Sequence, residues 1–471
     1  MNEQRTQTYL NLINQLLSCN DGDEPRILQE NRELLDEGLV QVMVAVAQQY
    51  GEAGRENEAQ FLMNIAKQLA AALGLSGNET TATANTPQDY LNFLMETLQK
   101  ISENPNPQLI YPFWAQNLDK LDDNLAQILD SRVREILTQV TPEQAYFIAF
   151  IIGNFSNLIA QFPLGNIATH KEIAITGYEI ALNIFTFDAF PQEWAMTENS
   201  LAAVYYSRIR GEKADNLEKA IAAYQEALKV LTFDAFPQDW AMTQNNLALA
   251  YSDRIRGEKA ENLEMAIAAY QEALKVYTFD AFPQQWARIQ NNLAIAYSNR
   301  IRGDKAENIK QAVMCYQNAL QGYETAGDFL NAAEMGLTLG KIKVDRGEWY
   351  QGLAYLEKSL KIYRQFDDLK SRADTIYQIA HTHHLIGNHE KASIYYRDAL
   401  RFYEYLKHDR GVAFCQASLG RLMLQIGFVE KAEELLKKAT FIFKELNNEQ
   451  EIAKIAEVLN CLAKIKEKQA V

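Results

Sequence analysis

Proline and glycine are scarce in this chain of 471 residues, at 10 and 22, below the usual shares of about 5% and 7%. With so few breakers, helices can run uninterrupted, and the sequence predicts an all-α fold. Cysteine is scarcer still. Cys19, Cys315, Cys415 and Cys461 lie far apart with no CxxC pair, which removes both a structural zinc and a disulfide framework and leaves reduced thiols as the expectation. Positive charge is in deficit: 46 Lys and Arg face 61 Asp and Glu, for a net charge of -15. A phosphate backbone is repelled by such a chain, so no nucleic-acid partner is expected.

No long apolar run is present. The greasiest stretch, Ala145 to Ile152, ends at Gly153 and Asn154, far short of the roughly 20 residues that span a bilayer. The first ten residues, MNEQRTQTYL, lack the apolar segment of a secretory leader. A soluble cytoplasmic protein without a membrane span is the expectation. Catalytic signatures are missing too: there is no GxSxG, GxxxxGK[ST], HExxH or DxDxDG, so neither an enzyme nor a cofactor is expected. What the chain does have is buriable surface, with 48% hydrophobic residues, 21 Phe, 23 Tyr and 5 Trp. That argues against disorder.

A repeat dominates the middle. The string from Asp188 to Phe233 recurs almost verbatim from Asp234 to Phe279 and begins again at Asp280, so Trp194, Trp240 and Trp286 stand 46 residues apart. Within each copy the apolar residues fall at steps of three and four, as in Ile221, Tyr224, Ala227 and Leu228, the spacing of a helix that buries one face. Pro191, Pro237 and Pro283 suit the first turn of a preceding helix. Gly211, Gly257 and Gly303 break the chain between the two, and Asn216, Asn262 and Asn308 are expected to cap the second. Past Tyr323 the period falls to 40: Gly352, Ala392 and Ala432 hold the place of Ala312, with Gly347, Gly387 and Gly427 five residues before and Gly340, Ala380 and Gly420 twelve before. Small residues there let paired helices approach closely.

This recurrent order of small residue, aromatic, Gly, Ala and Tyr or Phe resembles the tetratricopeptide repeat. The 40-residue units resemble its longer-helix variety, that of kinesin light chain and related peptide-binding regulators. The wording FPQxWAxTQNNLAxAYxxRIRGEKAENLExAI is similar to repeats of large cyanobacterial proteins, some of which end in a caspase-like domain that is not expected here. The resemblance implies a right-handed superhelical solenoid of about seven helix pairs, closed by a solvating helix from about Gln450. The expected division is a helical module at 1–75, a polar linker at 76–88, a second module at 89–165, units of period 46 at 166–325 and units of period 40 at 326–471. The second module echoes the first: YLNLINQLL at Tyr9 returns as YLNFLMETL at Tyr90, and NRELLDEGL at Asn31 as NLDKLDDNL at Asn117.

Three sets of residues are candidates for binding. Asn199, Asn245 and Asn291 recur on successive first helices, with Asn246 and Asn292 beside two of them. The resemblance implies a groove-lining ladder gripping a peptide backbone, for which a carboxamide has both donor and acceptor; the alternative is that they tie one unit to the next. Arg208, Arg254 and Arg300, each followed two residues later by a second Arg, form either a basic stripe for an acidic peptide or ion pairs with acids of the same turn, such as Glu212 or Glu261. His381 and His384, three apart in HTHHLIGNHE, either line the groove or begin a metal site. Trp194, Trp240 and Trp286 are expected to be packing wedges.

The functional expectation is an adaptor or scaffold that holds a peptide or protein segment in a concave groove. The rivals are a peptide-responsive sensor, and an enzyme whose site uses Asp36, Glu37, Asp122 or Asp123 of the N-terminal modules.

Overall fold

In the computed structural model, residues 3–18, 28, 31, 34–52, 56–72 and 85–469 are described. Among them every regular element is helical. The chain divides into two compact units, Met1–Tyr90 and Leu91–Val471. Cys19 and most of the 76–88 linker fall outside the described residues.

The first unit holds α1 (Glu3–Ser18), α2 (Glu37–Glu52) and α3 (Glu56–Ala72). Tyr9, Leu12, Ile13 and Leu16 of α1 recur at helical spacing and bury against Leu39 and Met43 of α2 and Leu62 and Ala66 of α3. Asp36 sets the start of α2. It accepts a hydrogen bond from the Leu39 amide at 3.0 Å, one from the Tyr9 hydroxyl at 2.7 Å, and pairs with Arg5 at 2.6 Å.

The second module of the sequence comprises α4 (Pro87–Glu103), α5 (Pro107–Ala115) and α6 (Asp123–Leu137). Trp114 is fully buried among Tyr111, Phe155 and Phe162, and its indole N–H donates to the Thr97 hydroxyl at 3.3 Å. Asp122 caps α6 through the Asn124 and Leu125 amides. Asp36 and Leu39 stand to each other as Asp122 and Leu125 do, so the echo between the modules includes the capping contact.

From Pro142 onward the helices come in antiparallel pairs: α7 (Pro142–Gln161) with α8 (Ile167–Leu182), α9 (Pro191–Tyr206) with α10 (Lys213–Ala227), α11 (Pro237–Asp253) with α12 (Lys259–Ala273), and α13 (Pro283–Asn299) with α14 (Lys305–Ala326). Then follow α15 (Phe329–Asp345) with α16 (Trp349–Gln365), α17 (Leu369–Ile386) with α18 (His389–Tyr405), and α19 (Asp409–Gln425) with α20 (Val429–Glu445). A last helix, α21 (Glu449–Gln469), packs on α20. The expected start of the paired region at 166 moves back to Pro142. The apolar stretch after Ala145 belongs to α7, a full partner of α8, and the two meet where Gly177 faces Ser156; a Cβ at Gly177 would stand 2.1 Å from the Ser156 hydroxyl.

The pairing follows from the pattern of small and large residues. In α15 and α16, Gly340 and Gly352 bring the backbones together, so that a Cβ on Gly340 would meet Leu356 at 2.7 Å and one on Gly352 would meet Val344 at 2.6 Å. Successive pairs form an all-α solenoid, each pair burying the apolar face of the last, which no single pair could do alone. First helices also pack on first helices, α7 on α9, α9 on α11, α11 on α13, α15 on α17 and α17 on α19, whereas no second helix packs comparably on the next second helix. First helices therefore lie on the inside of the curve. No helix among the described residues is long and apolar enough to cross a membrane.

Candidate functional site

The inner face is built from one side of each first helix. On α9, α11 and α13 the same columns recur: Met196, Met242 and Arg288; Asn199, Asn245 and Asn291; Ala203, Leu249 and Ile295; Ser207, Asp253 and Asn299. Their neighbours Leu201, Leu247 and Leu293 are buried, as are Ala202, Ala248 and Ala294. Met196 and Ile295 are 47% and 45% exposed, so the face presents apolar side chains to solvent. Tyr206 donates to the Asp253 carboxylate at 2.7 Å, joining α9 to α11 across it.

The asparagines are drawn into contacts between units. Asn199 is buried and accepts from the Thr243 hydroxyl at 3.0 Å. Asn245 is 1% exposed, donates to Asn246 at 3.1 Å and accepts from Asn292 at 3.4 Å. Asn291 is half-buried, and its side chain makes no hydrogen bond among the described residues. Four of the five thus form a rail along the first helices, and a ligand would reach Asn291 without displacing a partner.

The arginines point elsewhere. Arg208 grips Glu172 with Nε and Nη2 at 2.9 and 2.6 Å, Arg254 grips Glu218 at 2.8 and 2.7 Å, and Arg300 grips Glu264 at 2.7 and 2.6 Å. The expected partners in the same turn, Glu212 or Glu261, are corrected: each carboxylate lies 36 residues earlier, on the second helix of the preceding pair. Planar fork meets planar carboxylate, the strong geometry for a charged pair. The Arg254 guanidinium holds Glu218 below the usual carboxylate range, and Arg300 does the same for Glu264. Of the second arginines, Arg210 bonds Asp123 at 2.6 Å and Thr169 at 2.8 Å, and Arg256 bonds Asp215. Arg302 is exposed and its side chain makes no hydrogen bond or ion pair among the described residues, so the stripe offers one vacant cation rather than a run of positive charge. Between the arginines, Ile209, Ile255 and Ile301 are all about 60% exposed, a repeated feature that local reading passed over.

Asn216, Asn262 and Asn308 also differ from expectation. The caps are Glu212, Glu258 and Asp304, one turn earlier. The asparagines are buried in the first turn, where each Nδ2 donates at 2.9 Å to the carbonyl of Arg210, Arg256 or Arg302. They close the loop around Gly211, Gly257 and Gly303, whose φ of 78°, 78° and 82° suits glycine. The tryptophans pack edge-on against Phe187, Phe233 and Phe279 at 5.1 to 5.3 Å.

His381 and His384, on α17, share the hydroxyl of buried Tyr396, each Nδ1 at 3.5 Å, and His384 Nε2 reaches Gln425 at 2.7 Å. His383 is buried and stacks on Tyr395. Burial pushes all three imidazoles below their ordinary value. Among the described residues no three His, Cys, Asp or Glu side chains are grouped to hold a metal. The acids named in the N-terminal modules are engaged locally: Asp36 with Arg5 and Tyr9, Asp122 as a cap, Asp123 with Arg210. The Glu37 side chain lies outside the described residues.

Two family models, both described as tetratricopeptide repeat, match residues 240–278 and 329–405. Among solved structures, the signal-transduction ATPase with numerous domains and a tetratricopeptide repeat sensor from Pyrococcus horikoshii is similar at 15% identity and a TM-score of 0.46, covering 89% of this chain and 69% of that one. Aspartyl phosphate phosphatase F from Bacillus subtilis is similar at 11% identity and 0.42, over 78% of this chain and 94% of that one. Yeast Tom70 is similar at 11% identity and 0.36, over 98% and 89%. No curated protein matches the chain.

Proposed function

We propose that this chain, matched by tetratricopeptide-repeat models at 240–278 and 329–405, is a non-catalytic scaffold or adaptor whose inner face holds a peptide or protein segment. One observation carries the reading. Where the framework of the 46-residue units is copied nearly unchanged, the inner columns vary, from Ala203 to Leu249 to Ile295 and from Ser207 to Asp253 to Asn299. These columns are partly or largely solvent-accessible and lie on the helices that line the inside of the curve. A surface that changes step by step on a fixed frame discriminates along the length of an extended or helical segment.

The chemistry of the face suits such a ligand. Apolar positions at Met196, Leu249 and Ile295 would take side chains, while Asn291 would pair with a peptide unit for about 0.5 to 1.5 kcal/mol. Displayed random peptides, panned on the intact chain and counter-selected on a Leu249→Asp/Ile295→Asp variant of unchanged circular dichroism, test this reading. Peptides enriched on the intact chain and rejected by the variant are expected. Enrichment that is equal on both would sink the inner-face assignment.

A further inference from the structure

A cavity of about 520 Å³ lies between the start of α17 and the end of α18, lined by Leu369, Arg372, Asp398, Arg401, Phe402 and Tyr405. Aligning the 40-residue units explains how it arose. The place of Arg372 is held by Ala332 in the pair before and Val412 in the pair after, and that of Phe402 by Ile362 and Ile442. Ala332 and Val412 are buried, as an apolar contact between paired helices requires. In α17 and α18 that contact is replaced by a cation over an aromatic ring: the Arg372 guanidinium carbon stands 4.4 Å from the centre of Phe402. The other two changes point the same way. Asp398 replaces Lys358 and Lys438, and Tyr405 replaces Gln365 and Glu445.

Beyond that ring contact, the Arg372 side chain gains nothing inside the protein in return. Its guanidinium makes no hydrogen bond or ion pair among the described residues, and its Nε is buried without a partner. An unpaired guanidinium in place of an apolar contact costs stability, so its presence in one unit of three calls for an external partner. Arg401 reaches Asp398 only at 3.6 Å and is 80% exposed, leaving most of its donors open. The charge of the lining is one positive in excess, from Arg372 and Arg401 against Asp398. That balance suits a monoanion rather than a phosphate dianion, and Leu369, Phe402 and the exposed ring of Tyr405 supply an apolar rim beside it.

We propose that this cavity is a second peptide-binding site, separate from the inner face, which takes a side-chain carboxylate flanked by an apolar or aromatic residue. Arg372, seated over Phe402, would present its outer N–H groups to the carboxylate, with Arg401 closing over it.

The test uses the full chain with methyl-labelled Leu and Val, read by NMR, and three probes: Ac-Asp-Phe-NH2, Ac-Asn-Phe-NH2 and inorganic phosphate. Saturable shifts of the Leu369 methyls with the Asp probe are expected, weaker by about tenfold with the Asn probe, which lacks the charge. Arg372→Val, the residue found one unit later, should abolish them with the fold intact, and Arg401→Gln should weaken them. A Leu249→Asp variant should leave them unchanged, which separates this site from the inner face. Equal response to the Asp and Asn probes, stronger response to phosphate, or undiminished response in folded Arg372→Val would overturn the proposal.

Discussion

The units of period 46 and those of period 40 solve one problem, fastening helix pairs into a row, by different chemistry. In the first set, the loop between helices carries the fastening: Arg254 reaches back to Glu218, and Asn262 holds the loop shut through the Arg256 carbonyl. Gln225 adds a bond to the Tyr251 hydroxyl at 2.8 Å across the same joint. In the second set the loop shrinks to a turn at Gly347, Gly387 or Gly427, with φ from 77° to 87°. Close backbone approach and buried aromatics such as Tyr363 and Tyr403 take over. Six extra residues per unit therefore exchange steric fit for directional polar contacts.

The largest expected effect breaks the steric fit of the second set, within the pair of α15 and α16. Gly352→Leu forces a branched side chain against Val344 and the Gly340 carbonyl, and overpacking of this kind costs about 3 kcal/mol. Urea denaturation should show the loss; an unchanged midpoint would mean the backbones can part freely.

Next comes the polar half. Arg254→Met leaves the half-buried Glu218 uncompensated, for an expected loss of about 2 kcal/mol, and a cycle with Glu218→Gln should recover about 1 kcal/mol or more as coupling. Because Glu218 and Glu264 lie below the ordinary carboxylate value in the folded chain, their contribution is present above that ordinary value. It is lost as pH falls through the lowered one. Acid should thus abolish the difference between Arg254→Met and the parent. A gap that persists at low pH would point to packing of the Arg stem instead.

Asn262→Ala removes the loop closure and strands a carbonyl, with an expected cost of about 1.5 kcal/mol. Hydrogen exchange should quicken in the loop after Asp253 and nowhere in α15 to α20.

The smallest effect concerns a single departure within the first set. Glu198 stands where the next copies have Gln244 and Gln290, and burial, with Glu226 nearby, pushes its carboxyl up to about 7. A carboxyl raised on folding favours the folded state least at high pH: stability is full below the unfolded value and declines as pH rises through about 7. Glu198→Gln should therefore raise the melting temperature at pH 8, by about 1 kcal/mol in stability after allowing for solvent screening. At pH 5 it should do little.

Much of the row was legible in the residues themselves. Proline at Pro191, Pro237 and Pro283 does open α9, α11 and α13, and glycine does end the joint between helices. What escaped was contact between elements that are distant in the chain. The partner of Arg254 lies 36 residues back, a spacing that no helical periodicity suggests, although Glu172, Glu218 and Glu264 recur in step with the arginines. Asn262 looked like a cap because capping and loop closure use the same side chain near the same turn. The Arg372 cavity needed the adjacency of columns 372 and 402, which only the antiparallel pairing supplies.

The repeated Arg and Glu bridges also give the array a grammar for changing length. Every copy offers a carboxylate to the one that follows and a guanidinium to the one before, Glu218 forward to Arg254 and Arg208 backward to Glu172. Excising a whole 46-residue copy would bring Glu172 opposite Arg254 and orphan neither ion; inserting one would add a matched donor and acceptor at once. The row can thus be edited by whole words while every junction stays spelled the same way.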